Sequence, residues 1–173
     1  MRPTKEEYYL NIAREVAQRS TCLRVKIGAI IVKDDVIVAT GYVGAPRKTK
    51  DCLERGECFR NKFNIPHGQR YELCRSVHAE MNAFINASRS GAKVLEGDMY
   101  MWGQDKDGNL IDALPCFICK KMIINAGLKR FISSTKEGKI KIFEINDWIK
   151  DWQEGDILDD KHQYGMDQNP KSL

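Results

Sequence analysis

The sequence has no long apolar run. No stretch of its 173 residues approaches the roughly 18 consecutive apolar residues that suggest a membrane-spanning helix. Acidic side chains already occur at Glu6 and Glu7, within a region where a secretory leader would be apolar. These absences predict a cytoplasmic protein with no membrane partner.

The sequence also has no dense basic block, no internal repeat and no low-complexity tract. Its 28 lysine and arginine residues are interspersed with 24 acidic residues, which gives a net charge of +4. A nucleic-acid groove concentrates its cations on one surface, so we expect no nucleic-acid partner. A modest positive charge is compatible with a small ligand that carries phosphate.

The length allows one domain with its own hydrophobic core. We predict a single domain over 1–153 that contains a polar loop insertion at 44–75, followed by a polar C-terminal tail at 154–173. The order helix, hairpin, helix, strand, helix, strand predicts an α/β fold, specifically a three-layer α/β/α sandwich. A loop as long as 44–75 in a compact domain requires a reason, such as a function or a metal clip.

Two short motifs indicate a metal centre. His78-Ala79-Glu80 begins a predicted helix over 78–90, and Pro115-Cys116-Phe117-Ile118-Cys119 begins another that ends at Gly127. The two cysteines, three residues apart, share one helix face, and the helix N-terminus favours thiolates. The imidazole of His78 adds a nitrogen ligand. We therefore predict a zinc site whose ligands are His78, Cys116 and Cys119. Three protein ligands leave the fourth tetrahedral position open, which is typical of a catalytic site.

Glu80 is the predicted catalytic residue. It lies two positions beyond His78, off the direction of the ligand, and is free to carry a proton from water to a substrate ring nitrogen and to departing ammonia. The two motifs match the signature of zinc deaminases. A Cys-x-x-Cys pair alone also occurs in redox proteins and in structural zinc sites, but its combination with His-x-Glu favours a catalytic zinc.

Further blocks resemble the deoxycytidylate deaminase branch of the cytidine deaminase superfamily. They lie at 20–24, 28–32, 41–47, 78–83 and 123–129. The resemblance implies a cytidine deaminase-like fold with a central mixed sheet of about five strands, and hydrolytic deamination of dCMP to dUMP. It also implies a homo-oligomer, a hexamer or a dimer, with dCTP and dTTP as possible effectors.

The substrate contacts are predicted from the same resemblance and from charge. Arg24, Lys26 and Arg89 are candidate phosphate ligands, and each is equally well explained as a solvated surface cation. The resemblance implies that backbone groups of Ala79 and Leu114 contact the cytosine edge. Tyr42 and Val43 occupy the sugar-binding motif, in which the family commonly has asparagine at the position of Val43. The longer segment at 103–114 should alter the pocket rim.

Four cysteines remain outside the predicted catalytic centre. Closed sites of four cysteines are usual for structural zinc, and family members often carry a second zinc, so we predict a second, structural zinc with His67 as a substitute ligand. The alternative is that these are free buried thiols, because their spacing is wider than the usual motif. The four are Cys22, Cys52, Cys58 and Cys74.

Two alternatives to dCMP deamination remain at this stage. The same residues could act on dCTP, CMP, a free nucleoside such as cytidine, or an adenosine in tRNA. The domain could also be a non-catalytic, zinc-stabilised module that binds nucleotides without converting them. Glu80 favours an enzyme, because a binding module has no need of a proton carrier beside an open zinc.

Overall fold

In the computed structural model, which describes residues 1–66 and 68–156, a five-stranded sheet carries helices on both faces. The strands are β1 Val25–Lys33, β2 Val36–Tyr42, β3 Asp98–Asp105, β4 Arg130–Ser134 and β5 Ile140–Glu144. The helices are α1 Lys5–Ala17, α2 Cys52–Arg55, α3 Phe59–Lys62, α4 Ala79–Ser90, α5 Phe117–Asn125 and α6 Ile145–Glu154. None of the helices in these residues has the length and apolarity needed to cross a membrane.

The sheet is mixed, in the order β2-β1-β3-β4-β5. The β1–β2 hairpin and the β1–β3 pair are antiparallel, β3 and β4 are parallel, and β4 and β5 are antiparallel. The parallel pair is joined through α5, as expected for a crossover connection. The predicted fold class and the predicted number of strands are confirmed.

The two faces of the sheet carry different helices. Helix α1 begins at a capping box formed by Thr4 and Glu7, and it packs on one face, where its Ala13 contacts the cluster that contains Ile30. Helices α4, α5 and α6 cover the other face, in a cluster that includes Ile31. Because side chains alternate along a strand, even-numbered residues of β1 face α1 and odd-numbered residues face α4.

Two glycines allow the helices to approach the hairpin closely. A Cβ atom at Gly28 would lie 2.2 Å from the carbonyl oxygen of Ala13 in α1. A Cβ atom at Gly41 would lie 2.2 Å from the carbonyl oxygen of Ala79 in α4. Both approaches are to backbone atoms, so any larger residue would displace a helix. Gly41 therefore sets the position of the first turn of α4 against β2.

The insertion at 44–75 contains more structure than the sequence predicted. It forms α2, α3 and a single 3-10 turn at Tyr71–Leu73. Asp51 and Glu54 form a capping box at the start of α2. Helices of four residues are too short to show a 3.6-residue pattern, which explains why the sequence indicated only a loop.

Two further regions can be compared with the sequence analysis: the segment between β3 and α5, and the end of the domain. β3 extends to Asp105, and the turn that follows is closed by an isolated bridge between Gln104, near the end of β3, and Leu110. The boundary predicted between 153 and 154 falls at the last two residues of α6. Residues 157–173 of the predicted tail, and His67, lie outside the described residues.

Candidate active site

Two helices begin at the same point on the sheet. His78 is the N-cap residue of α4 and Cys116 is the N-cap residue of α5, and neither side chain makes a capping hydrogen bond. Cys119 follows in the first turn of α5 and is buried. The sequence fragments that carry the two motifs are thus brought together by helices that cover one face of the sheet.

The three predicted ligands form one compact group. His78 Nδ1 lies 3.4 Å from the Sγ of Cys116 and 3.5 Å from the Sγ of Cys119. All three ligand atoms lie within 4.8 Å of one another, and no other such group of three or more occurs among the described residues. Nitrogen and sulfur ligands about 2.0–2.3 Å from a tetrahedral zinc are separated by roughly 3.5–3.8 Å. The donor set and its spacing therefore fit one zinc ion.

The charges of these three groups are strongly coupled. The pKa of Cys116 is lowered to about 4, because Cys119 shares a hydrogen bond with it and His78 stabilises its thiolate. The same hydrogen bond and burial raise the pKa of Cys119. Burial lowers the pKa of His78, but the hydrogen bond with Cys116 and the charge of Glu80 outweigh it, so the net shift is upward. One thiolate is thus ready to bind a cation.

Glu80 lies beside this group and is almost completely buried, with 4% of its surface exposed. Desolvation raises the pKa of Glu80; the charge of His78 is the largest effect that opposes the rise, and a hydrogen bond with the Cys119 side chain adds a smaller opposing effect. A raised pKa makes a carboxylate a better proton acceptor than it is in water, and the same group can return the proton in a later step. The burial of Glu80 next to three metal-binding side chains is suited to proton transfer.

Sequence reasoning missed two residues next to the centre. The Tyr71 ring lies 4.8 Å from the His78 ring, centroid to centroid, with the two planes at 88°. The guanidinium carbon of Arg60 lies 5.0 Å from the centroid of the Tyr71 ring. Both residues belong to the 44–75 insertion, which contains several aromatic residues and several arginines, so nothing in the sequence distinguished Tyr71 or Arg60 from the others.

The three candidate phosphate ligands have different positions. Arg24 is half-buried, and its charge slightly opposes the rise in the Tyr71 pKa that burial causes, so it lies in the neighbourhood of Tyr71. Lys26 donates a hydrogen bond to Gln18, on the side of the sheet that carries α1. Arg89 is exposed in the last turn of α4, nine residues and about 14 Å along the helix from Glu80. The structure brings Arg24 towards the centre but does not bring Lys26 or Arg89 there.

The residues predicted to contact sugar and base lie at the end of β2 and at or just before the starts of α4 and α5. Ala79 is buried in the first turn of α4, and Leu114 is 41% exposed two residues before Cys116. Val43 is buried, and the carbonyl of Tyr42 accepts a hydrogen bond from Asn82 at 2.8 Å. Asn82, which the sequence did not single out for this contact, thereby ties the end of β2 to α4.

The four remaining cysteines lie near one another. The charge of Cys22 interacts with those of Cys74 and Cys58, and the charge of Cys52 interacts with those of Cys22 and Cys58. Burial raises the pKa of Cys22 and of Cys52. No three of the four sulfurs lie within 4.8 Å of one another, so they are more widely spaced than the ligands at the first centre.

Comparisons with known proteins agree with this geometry. Residues 3–135 match the model of the family described as "Cytidine and deoxycytidylate deaminase zinc-binding region". The chain is 30% identical to "Deoxycytidylate deaminase" of Schizosaccharomyces pombe over 78% of its own length, but it spans only 38% of that relative. It is 33% identical to "Deoxycytidylate deaminase" of Mycobacterium phage D29, over 76% of its own length and 94% of the relative.

Two solved structures have the same fold. The dCMP deaminase from cyanophage S-TIM5 in apo form is 27% identical, with a TM-score of 0.56 over 78% of this chain and 86% of that one. The same cyanophage protein in complex with dCMP and dUMP is 26% identical, with a TM-score of 0.55 over 77% of this chain and 82% of that one.

Proposed function

The chain belongs to the cytidine and deoxycytidylate deaminase family, and from that membership we propose that it hydrolyses dCMP to dUMP and ammonia with the help of zinc. One observation carries the proposal: Glu80 is buried, and its carboxyl interacts with His78, Cys116 and Cys119, which form one compact group. The names of the relatives and the nucleotides bound to the cyanophage protein support dCMP as the substrate.

The residues of the site have two roles in the proposed reaction, metal binding and proton transfer. His78, Cys116 and Cys119 would hold zinc, which supplies Lewis-acid activation of water at neutral pH when it is bound. Glu80 removes a proton from the attacking water, transfers it to the ring nitrogen, and assists the loss of the amine as ammonia. The raised pKa of Glu80 keeps the protonated form accessible, and its burial limits exchange of that proton with bulk water.

The direct test is release of ammonia from purified protein with dCMP, dCTP, CMP and cytidine as substrates. We expect dCMP to be converted with the highest kcat/KM. Glu80→Gln should lower kcat by roughly 100-fold to 10,000-fold, the range expected for loss of a proton-transferring group, and should retain zinc. Turnover by Glu80→Gln at the wild-type rate would contradict the assignment of Glu80. Failure of all four substrates to react would favour the non-catalytic binding module.

We assign the substrate phosphate to Arg24. Arg24→Ala should raise KM for dCMP and leave KM for the nucleoside deoxycytidine unchanged, because only the nucleotide carries the phosphate. Lys26→Ala is the matched control, since Lys26 is a cation two residues away that lies towards α1 on the other side of the sheet. Equal effects of the two substitutions would show that the contribution is one of net charge and not of contact.

We further propose a structural zinc held by Cys22 and by the three cysteines of the insertion. Cys22, Cys52, Cys58 and Cys74 are close enough for their charges to interact, and closure around one ion would bring the sulfurs together. Metal analysis should give two zinc ions per chain, and Cys52→Ser should lose one of them while Cys116→Ser loses the other. A single zinc in freshly purified wild-type protein would exclude this second site.

The remaining parts of the proposal concern assembly, regulation and location. We propose a cytoplasmic homo-oligomer, a hexamer or a dimer, whose activity responds to dCTP and dTTP, as the family resemblance implies. Light scattering after size exclusion gives the number of chains, and the deamination assay with each triphosphate measures the response. A monomer whose rate is unchanged by either triphosphate would contradict both expectations.

A further inference from the structure

Arg60 is a buried cation with no part in the chemistry described so far. It lies in α3 with 3% of its surface exposed. Arginine is rarely buried so completely unless its guanidinium is bonded. Its Nη1 donates to the carbonyls of Gln69 and Arg70, and its Nη2 donates to the carbonyl of Pro66. Arg60 therefore holds the backbone at Pro66, Gln69 and Arg70 against α3.

The bonds from Arg60 fix the backbone immediately before Tyr71. Arg70 has a φ of +51°, in the left-handed region that is unfavourable for a residue with a Cβ atom. Its carbonyl is one of the three that Arg60 binds, so a hydrogen bond to a charged donor opposes the cost of that conformation. The 3-10 turn that starts at Tyr71 follows directly. Arg60 thus determines where the Tyr71 ring is placed.

Tyr71 lies between Arg60 and His78. Its ring contacts the guanidinium at 5.0 Å and the imidazole at 4.8 Å, and the two rings are nearly perpendicular. Both contacts are favourable for an aromatic ring, the first as a cation–π interaction and the second as an edge-to-face pair. Nδ1 of His78 faces the two sulfurs, so the rest of the imidazole must be held by other groups if it is to keep that direction.

We propose that Arg60 and Tyr71 are positioning residues that hold the His78 ring in its metal-binding orientation. Arg60 fixes Tyr71, and Tyr71 restricts rotation of the imidazole, so less conformational freedom is lost when a metal binds. The inference rests on the proposed zinc centre. It gives the 44–75 insertion a role in metal affinity, in addition to any part its cysteines play.

Zinc affinity of the full-length protein, measured by competition with a chromophoric chelator, tests this proposal without reference to turnover. Tyr71→Leu removes the ring and should weaken zinc binding at the first centre by roughly 10-fold to 100-fold, the usual effect of losing a group that orients a ligand. Tyr71→Phe keeps the ring and should bind zinc like the wild type. Tyr8→Leu removes an exposed tyrosine on α1 and serves as the control.

The measurements are made in a Cys52→Ser background, so that only the first centre is titrated, and cobalt substitution reports on ligand geometry. The absorption bands of cobalt should shift in Tyr71→Leu and in Arg60→Met, and they should be unchanged in Tyr71→Phe. Arg60→Met also removes buried hydrogen bonds and can destabilise the fold. The decisive comparison is therefore between Tyr71→Leu and Tyr71→Phe, because Tyr71 is only half-buried.

Wild-type zinc affinity in Tyr71→Leu would overturn the inference, as would an equal loss in Tyr71→Phe. Failure of the parent protein to bind zinc would overturn the proposed function as well. A parent protein that binds zinc tightly, shows the leucine effect and does not deaminate dCMP would support the positioning role and contradict only the proposed function.

Discussion

Replacing Gly41 by alanine should damage the metal centre through the backbone of α4. The new Cβ atom would lie 2.2 Å from the carbonyl oxygen of Ala79 and 2.3 Å from the backbone nitrogen of Ala83. Neither atom belongs to a flexible side chain that could rotate away. The first turn of α4, which follows His78 and contains Glu80, must therefore move.

The size of the effect follows from that overlap. Carbon atoms rarely approach backbone atoms closer than about 3 Å, so α4 must shift by roughly 1 Å away from β2. Overpacking of this kind costs about 1–3 kcal/mol of folding free energy. A displacement of 1 Å at a catalytic group can lower the rate by about 100-fold. We expect Gly41→Ala to lose stability and most of its kcat/KM.

Gly28→Ala is the matched control. Its Cβ atom would also lie 2.2 Å from a helix carbonyl oxygen, but that helix is α1, on the opposite face of the sheet. We expect a similar loss of stability in urea unfolding, with kcat/KM of the folded protein within a few-fold of the wild type. Equal loss of activity in both variants, or full activity in Gly41→Ala, would refute the reasoning that the contact with β2 positions the centre.

Two further predictions concern the other face of the sheet. Burial, helped by the charge of Asp98, raises the pKa of Tyr100 from 10.0 to about 12. The neutral phenol therefore stabilises the fold below pH 10, and this contribution is lost as the pH rises to 12. The unfolding free energy should fall over that range, and Tyr100→Phe should make the fall smaller by about 1–2 kcal/mol once solvent screening is allowed for; identical pH dependence would contradict it. Thr4→Ala removes half of the capping box of α1 and should lower the unfolding free energy by about 1 kcal/mol. The rate of deamination should not change. A change in kcat would show that α1 influences the centre.

The grouping of His78, Cys116 and Cys119 could be predicted from the sequence because its determinants are local. His78 and Glu80 are two residues apart, and Cys116 and Cys119 are three apart, so each motif needs only one helix start to take its shape. The sheet was predictable for the same reason, since alternation marks the hairpin and periodicity marks the longer helices.

The surroundings of the centre depend on contacts that are distant in sequence. Lys26 and Arg24 are both near β1, and only the packing of α1 shows which of them faces the centre. Arg60 contacts Tyr71 because the chain reverses direction between them, and no periodic pattern in the sequence predicts that reversal. The rise of an α-helix, by contrast, separates Arg89 from Glu80 by about 14 Å along α4, a distance that follows from the sequence once the helix is recognised.

Helices α4 and α5 differ from α1 in how they begin. At α1 the side-chain oxygen of Thr4 accepts a hydrogen bond from a first-turn amide, whereas His78 and Cys116 make no side-chain capping hydrogen bond. Each such omission forgoes about 1 kcal/mol of local stability. In the proposed zinc centre these two cap positions would be held by metal ligands, and a bound ion would supply part of the ordering that a cap supplies at α1. Amide hydrogen exchange in the first turns of α4 and α5 should accordingly accelerate on chelation, while the start of α1 stays protected.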